Sequence, residues 1–458
     1  MKSKLKMKQS LISMAIASIA TITTTALGSF ALSSAVFAET SGKGNSNSTS
    51  NSALNSSVSS PLPKADPLKQ GFSKEGLKRI DDFIDTEISQ HRMPGAVLAV
   101  AHHGKLVLYK AYGQRDPNTQ APMTLDAVFH LASMTKVMAT VGALSVFEEG
   151  KLPLNTPVSN WFDEFKSSQL GVIAADGTIS QKPVARAVTV QDLMRHTNGM
   201  PYGERGNTPI HKLYPPSSAS SAFMYDVDGF IKKVSSAPLL YEPGSVWDYG
   251  FGIDVLGLTL EKIEGAPLET ILAKRVWSKV GMPSTSFHPS TELRAKIARP
   301  FNTDPITGKP QSIAILDTPT KFDCGGSCAF STAGDYLRFA QMLLNKGELD
   351  HQRVLSPSTV KFMTSDHLGT NIKNNVAGTE PGRAGYGFGL GVAVRTVRGV
   401  AAVNGNVGEF TWNGASGTIF WVDPLADLAV VMMAATPGEI RKIYREKLPA
   451  VIYGAMVE

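Results

Sequence analysis

The chain has 458 residues, 42% hydrophobic and 18% charged, which is enough apolar material for a packed core and excludes global disorder. Its length allows two or three domains, or one large domain of elaborate topology. Its two cysteines cannot cross-link a fold of this size or supply a four-thiolate zinc site.

The first 38 residues have the pattern of a signal peptide. Four lysines between residues 2 and 8 precede an apolar stretch from Leu11 to Phe37, and Val36 and Ala38 suit a cleavage site. We therefore expect export and cleavage after Ala38, giving a periplasmic or secreted protein with no stable membrane span. An uncleaved membrane anchor is the alternative. Cleavage lowers the formal charge from +6 to +2, so nucleic acid is not an expected partner.

Residues 39–66 are rich in Ser and Asn and are predicted to form a disordered, flexible linker, because they offer little apolar surface to bury. The domain is then expected to span 67–458. Its first helix follows Ser73, a candidate N-cap, with apolar residues at helical spacing from Leu77 to Ile88. Two β-rich runs, 96–102 and 106–112, enclose a His-His-Gly-Lys turn and indicate a hairpin.

The end of the chain repeats this strand pattern. Strand-like runs at 418–422 and 428–433 precede a closing helix at about 439–451. Helical periodicity and long loops dominate the middle. We therefore predict an α+β fold, an α/β sandwich in which both chain ends (about 67–125 and 350–458) share one sheet. A mainly helical part (about 126–349) is inserted between them.

The sequence Ser133-Met134-Thr135-Lys136 is the strongest catalytic candidate. Residues three apart lie on adjacent turns of one helix face, so Lys136 can take the proton of a nucleophilic Ser133. The lysine must be partly neutral to act as a base, and burial in the apolar helix that follows favours the neutral form. Two other Ser-x-x-Lys matches, at Ser3 and Ser358, do not open a buried helix.

With these residues the chain resembles the serine β-lactamases and penicillin-recognising hydrolases, in particular the class C-like branch that includes family VIII carboxylesterases. The resemblance covers about residues 73–440. Its four motifs, in family order, are Leu131–Lys136, Leu193–Gly199, Glu242–Tyr249 and Trp412–Thr418. It implies an antiparallel sheet flanked by helices, a helical domain beside it, and an active site between the two.

The resemblance gives Tyr249 the place of the tyrosine that faces the nucleophile, where it could act as acid or base. A tyrosine that only caps the following helix is the alternative. The family's Asn two residues later is absent, which puts in doubt the amide that would contact a β-lactam side chain. By the same resemblance, the backbone N–H groups of Ser133 and Ala415 form the oxyanion hole.

Trp412, Asn413 and Gly414 stand where the family usually has Lys-Thr-Gly, and are candidates for substrate binding. The lysine offers a positive charge to a substrate carboxylate, whereas Trp offers an apolar face. We infer that the substrates are uncharged esters. The alternative is that Trp412 serves only to pack within the sheet. Gly414 is expected to let substrate lie close to the strand.

Other residues have simpler interpretations. Cys324 and Cys328 are candidates for a small disulfide ring in an oxidising compartment, with a structural role. His196 is expected in a loop bordering the site, and His102 and His103 in an exposed turn. Asp254 either supports the Tyr249 loop or faces water.

The function predicted from these residues is an exported serine hydrolase, a carboxylesterase that needs no metal or cofactor and works through an acyl-enzyme. Activity as a β-lactamase, as a D-Ala-D-Ala carboxypeptidase or transpeptidase, or as an acyltransferase is the alternative within this mechanism. A catalytically silent protein that binds cell-wall fragments is the alternative of another class.

Overall fold

A computed structural model of the protein describes residues 59–457, so the predicted signal peptide and residues 39–58 of the predicted linker lie outside the described residues. From residue 59 the chain packs on the domain. Leu62 is buried, and the carbonyl of Pro61 accepts a hydrogen bond from Arg338 Nη1 (2.7 Å). The predicted end of the flexible linker at residue 66 is therefore too late in the chain, because Leu62 already packs into an apolar site of the domain.

Within residues 59–457, eight strands form the main sheet, and six short strands form three separate pairs. The main-sheet strands are β1 (Gly95–His102), β2 (Lys105–Asp116), β3 (Ala121–Pro122), β10 (Tyr386–Phe388), β11 (Ala393–Arg395), β12 (Phe410–Asn413), β13 (Ile419–Asp423) and β14 (Leu428–Ala434). The pairs are β4 (Phe129–His130) with β7 (Phe330–Ser331), β5 (Gln169–Ile173) with β6 (Ile179–Pro183), and β8 (Glu348–Leu349) with β9 (Gln352–Arg353).

Both chain ends meet in the middle of the sheet, whose strand order is β10-β11-β12-β13-β14-β1-β2-β3. Strand β1 pairs antiparallel with β14, from Ala96 opposite Ala434 to His102 opposite Leu428. On its other side β1 forms the predicted hairpin with β2, and His103 and Gly104 adopt positive φ in the tight turn. The prediction of one antiparallel sheet built from both ends is confirmed.

The helices occupy both faces of this sheet and the inserted part. They are α1 (Lys74–Ser89), α2 (Thr135–Glu148), α3 (Val190–Met194), α4 (Ser218–Met224), α5 (Val227–Ser236), α6 (Gly252–Glu264), α7 (Leu268–Leu272), α8 (Ser278–Val280), α9 (Thr291–Arg294), α10 (Ala333–Leu344), α11 (Pro357–Met363) and α12 (Ile440–Tyr453). Ser73 caps α1 as predicted, since its Oγ accepts from the Gly76 N–H (3.0 Å).

Strand β1 separates two hydrophobic cores, because successive side chains point to opposite faces of a sheet. Ala96, Leu98 and Val100 belong to the smaller core, which α1 and α12 cover. The side chains of alternate residues Val97 and Ala99 belong to the larger core, with α10 and the helices of the inserted part. No helix within residues 59–457 has the length and apolar character required to cross a bilayer.

Candidate active site

Ser133 lies in a single 3-10 turn, Ala132–Met134, that leads directly into α2. Ala132 has a φ of 46°, in the left-handed region that side chains other than glycine rarely enter. Tyr336 Oη holds the turn by donating to the carbonyl of Met134 (3.0 Å). A strained residue held in place beside a serine is typical of a functional site.

Lys136 lies on the first turn of α2, and its side chain is only 1% exposed. Its Nζ is 3.4 Å from Ser133 Oγ and donates a shorter bond of 2.5 Å to the carbonyl of Gly326. The ammonium group also lies 4.6 Å from the ring centroid of Tyr249, close enough for a cation–π contact. The predicted pair is therefore in contact, and a buried lysine faces the serine. Ser358 and Lys361, by contrast, are both exposed.

Tyr249 reaches the same place from the segment before α6. Its ring packs against Trp412 at a centroid distance of 5.2 Å, and Trp412 Nε1 donates to its hydroxyl (3.3 Å). Behind it lies His196, with ring centroids 4.6 Å apart. Tyr249 thus lies against Lys136 on one side and Trp412 on the other, which is the location that the resemblance implies.

The loop of Gly326 holds Lys136 and was not identified from the sequence as part of the site. The structure joins Cys324 and Cys328 in a disulfide around it. Asp254, which is fully buried, accepts from the Gly326 N–H (2.9 Å) and from Ser218 Oγ (2.6 Å). Burial raises the pKa of Asp254, and the positive charge of Lys136 opposes that shift. Asp254 therefore supports the lysine's carbonyl partner and does not face water.

His130 connects this loop to the predicted oxyanion donor. Its Nε2 lies 2.7 Å from the carbonyl of Ser327, and its Nδ1 lies 2.7 Å from Ser416 Oγ, next to Ala415. Since a carbonyl only accepts, Nε2 carries the proton and Nδ1 accepts from the Ser416 hydroxyl. Burial lowers the pKa of His130 to about 4, so the neutral ring is the form present at neutral pH.

Gly414 has a different role from the one predicted. A Cβ at this position would lie 2.1 Å from the carbonyl oxygen of Leu131 and 2.2 Å from Thr418 Oγ1. The position that a side chain would occupy at residue 414 therefore faces the segment that leads to Ser133, and not an incoming substrate. Gly414 allows β12 to approach the nucleophile's segment closely.

Trp412 and Asn413 contact an arginine that sequence analysis did not select. The Arg383 guanidinium carbon lies 4.4 Å from the Trp412 ring centroid. With its amide oriented to satisfy its neighbours, Asn413 Oδ1 accepts from Arg383 Nη2 (3.2 Å). A positive charge therefore covers the tryptophan that replaces the family lysine, and the reason given for expecting uncharged substrates does not hold in the folded protein.

The histidines behave differently from one another. His196 is fully buried, and neither ring nitrogen has a hydrogen-bond partner among the described residues. Burial lowers its pKa well below the ordinary value, and the charges of Lys136 and Arg205 add to this shift. In the hairpin turn His103 is exposed as expected, but His102 is buried and its Nδ1 contacts the carbonyl of Gln70 (2.8 Å).

In the part of the chain that the structure describes, two cavities adjoin Ser133. One, of about 380 Å³, extends past Tyr202 and Phe223, and the other, of about 300 Å³, extends past Trp412 and Arg383. Both are lined by a common set of residues: Ser133, Arg205, Tyr249, Ala415 and Arg441. An ester bound at Ser133 therefore has one space available for its acyl part and one for its alcohol part. Within residues 59–457, no three His, Cys, Asp or Glu side chains are grouped so as to hold a metal ion.

The sequence matches the Beta-lactamase family over residues 80–447, most of the part that the structure describes. The chain belongs to the Beta-lactamase family. Membership of this family supports the predicted serine hydrolase. An uncharacterised protein of Mycobacterium tuberculosis is 34% identical over 74% of this chain and 85% of its own length.

Named relatives in the Beta-lactamase family include esterases. Esterase EstB of Burkholderia gladioli is 28% identical over 79% of this chain and 91% of its own length. The solved structure of EstCE1, a hydrolase with promiscuous acyltransferase activity, is 25% identical. It superposes with a TM-score of 0.67 over 83% of this chain and 99% of its own. These relatives support a carboxylesterase-type serine hydrolase and the predicted α+β fold.

Proposed function

We propose that this chain is an exported carboxylesterase in which Ser133 forms an acyl-enzyme. The observation that most supports this is the approach of the buried Lys136 Nζ to Ser133 Oγ at 3.4 Å, with Tyr249 beside it. Esters are favoured over β-lactams because the relatives EstB and EstCE1 are named as an esterase and a hydrolase.

The reaction follows from the positions of these groups. Ser133 Oγ bonds to the ester carbonyl carbon while its proton passes to Lys136 or Tyr249. The N–H groups of Ser133 and Ala415 hold the carbonyl oxygen as it becomes negative. The carbon–oxygen bond to the alcohol then breaks, and the same proton is delivered to the leaving oxygen. Water repeats the sequence on the acyl-enzyme, releasing the acid and restoring Ser133.

The test compares initial rates on p-nitrophenyl butyrate and a chromogenic cephalosporin, with Ser133→Ala measured alongside. We expect ester turnover that the substitution removes, with little cephalosporin hydrolysis. Comparable or faster cephalosporin turnover would favour a β-lactamase. A Ser133→Ala protein with the wild-type ester rate would contradict the assignment of Ser133 as the nucleophile. Failure of an active-site phosphonate to label the protein would favour a catalytically silent binding protein.

Acyl transfer is the second candidate, because the printed description of EstCE1 includes promiscuous acyltransferase activity. An alcohol or amine would then replace water in the second step. Adding a primary alcohol to the butyrate assay should yield the new butyrate ester if transfer occurs. Release of butyric acid alone, at all alcohol concentrations, would leave hydrolysis as the only activity.

Export is tested separately from catalysis. Mass spectrometry of the protein recovered from outside the cytoplasm should give a mature chain that begins at Glu39. A full-length chain recovered with membranes would instead indicate an uncleaved anchor.

A further inference from the structure

Arg383 is a buried cation without an acidic partner. Its side chain is 4% exposed, and within residues 59–457 no carboxylate oxygen lies within 4.0 Å of its guanidinium nitrogens. Its Nη1 is buried with no hydrogen-bond partner among those residues. Glu380, the acid whose charge acts most strongly on Arg383, already forms a 2.6 Å ion pair with Arg445.

The neighbours of Arg383 do not account for this burial. A cation–π contact with Trp412 contributes about 0.5–2 kcal/mol, whereas an unpaired buried ion costs several kcal/mol. Asn413 accepts from Nη2 only. Burial lowers the pKa of Arg383, but a guanidinium stays protonated in proteins, so the charge remains. An anion that accepts from Nη1 would compensate for the burial.

The cavity that Arg383 shares with Ser133 is cationic. Glu380 is the one acid among its described lining residues, and the cations are Arg205, Arg383, Arg441, Lys442 and Arg445. Several of these are already bound within the protein. Arg445 pairs with Glu380, Lys442 pairs with Glu439 (2.7 Å), and Arg441 donates to the carbonyl of Gly438 (2.7 Å). Arg205 is exposed, so Arg383 is the buried cation among these described lining residues that is left for a ligand.

We propose that Arg383 forms a carboxylate-binding subsite, so that the preferred substrates are esters that also carry a free carboxylate. The planar guanidinium matches a carboxylate better than an ammonium does, and the subsite adjoins Ser133 through the shared cavity. This inference rests on the proposed ester hydrolysis and names the substrate class for it. The carboxylate belongs to either the acyl part or the alcohol part, and the test separates the two.

The experiment compares two pairs of esters that differ only in charge. The first pair is 4-carboxyphenyl butyrate and its methyl ester, with the charge on the alcohol part. The second pair is monophenyl adipate and its methyl ester, with the charge on the acyl part. In one pair we expect kcat/KM for the charged ester to exceed that for the neutral ester by about tenfold or more. The responding pair identifies the side on which the carboxylate binds.

Substitution of the arginine should remove this preference. Arg383→Gln is expected to lower the charged-to-neutral ratio of kcat/KM about tenfold, mainly through KM for the charged ester. Arg383→Lys, which keeps the charge and loses the planar fork, should give an intermediate ratio. The matched control is Arg299→Gln, which removes the same charge from an exposed pair with Asp317 and should leave the ratio unchanged.

Inhibition of the wild-type protein tests the proposal even if the Arg383 variants fail to fold. With p-nitrophenyl butyrate as substrate, one of two anions, 4-hydroxybenzoate or adipate, should inhibit at least about tenfold more strongly than its methyl or dimethyl ester.

Three outcomes would overturn the subsite. They are a charged-to-neutral ratio of one or less in both substrate pairs, an equal loss of preference in Arg299→Gln, and an unchanged preference in folded Arg383→Gln. If Ser133-dependent ester turnover is retained, none of these three outcomes contradicts the proposed function. Loss of ester turnover itself would instead contradict the proposed function.

Discussion

At the scale of single residues, the site depends on a few short contacts made by side chains from distant parts of the sequence. Lys136 comes from the helix that begins after Ser133, whereas Tyr249 and Trp412 come from 116 and 279 residues further along the chain than Ser133. All three are buried, and Tyr249 contacts both Lys136 and Trp412. Small changes at one of them should therefore change the chemistry without changing the fold.

Replacing Tyr249 with phenylalanine tests the role of its hydroxyl. The ring stays and keeps its packing against Trp412 and Lys136, so the loss of stability should be limited to the lost 3.3 Å hydrogen bond from Trp412 Nε1. If the hydroxyl carries a proton, kcat for p-nitrophenyl butyrate should fall by about 10²- to 10⁴-fold. Tyr241→Phe, which removes the hydroxyl of a partly exposed tyrosine, is the control. An unchanged kcat in Tyr249→Phe would leave Lys136 as the only proton carrier.

His130 should make the protein less stable in acid. Its folded pKa of about 4 lies below the ordinary 6.5, so between these values the unfolded chain binds a proton that the folded chain does not. Its contribution is complete above pH 6.5 and is lost as the pH falls to 4, by about 3 kcal/mol in all.

The measurement is the free energy of unfolding of wild type and His130→Gln between pH 4 and 7. The advantage of the wild type at pH 7 should shrink by about 3 kcal/mol by pH 4. The opposite contribution of Asp335, whose pKa is raised to about 6, is present in both proteins and cancels. A constant difference across this range would mean that His130 does not titrate as described.

The residues that sequence could predict are those with a local pattern. Ser133 and Lys136 share a helix face, and Tyr249 ends a recognisable motif. Arg383 lies in a loop with no periodicity, and it meets Trp412 only after β11 and β12 have paired, 29 residues later in the chain. No spacing rule relates two such positions, so the charge at the site could not be read from the sequence.

At the scale of elements, the approach of β12 to the turn before α2 determines where the nucleophile lies. Gly414→Ala would place a methyl group 2.1 Å from a backbone oxygen of Leu131. We expect a loss of about 1–3 kcal/mol in the free energy of unfolding, together with a lower kcat.

Gly378→Ala is the matched control for stability, because a Cβ at that position meets nothing within 4 Å. Its unfolding midpoint in urea should stay close to that of wild type. If Gly414→Ala raised KM without lowering stability, the original assignment of Gly414 to substrate contact would be restored.

Element boundaries were predictable where hydrophobic periodicity and caps coincide. The helix after Ser73 and the strands of both chain ends occur within a few residues of their expected positions. The role of Gly414 was misassigned because a glycine in a strand indicates close approach without saying what approaches. The loop around Gly326 was recognised as a disulfide ring, but its carbonyl acts on Lys136, 190 residues away in sequence.

At the scale of the whole molecule, one face of the sheet is covered only when the last helix, α12, has packed against it. Ile440, Tyr444, Leu448 and Ile452 are each at most 1% exposed and fill the smaller core. Their burial contributes roughly 6–12 kcal/mol, which is comparable to the total stability of an ordinary domain. The chain therefore cannot fold stably from its first half alone.

A chain that ends after Glu439 should show no cooperative unfolding transition and no esterase activity. A control chain that ends after Met456 keeps the whole of α12 and should unfold cooperatively and remain active. Circular dichroism during heating provides the comparison. Cooperative unfolding of the shorter chain would show that α12 is an accessory and not part of the core.

The division of the molecule into two cores by β1 has a consequence for how such a protein diversifies. The site's aromatic residues, Tyr249 and Trp412, belong to the larger core, whereas α1 packs only into the smaller one. Substitutions in the smaller core under α1 can change the stability of the fold without altering the residues that select substrate. Stabilising substitutions in the smaller core could therefore offset the destabilising effect of substitutions that change specificity in the larger core.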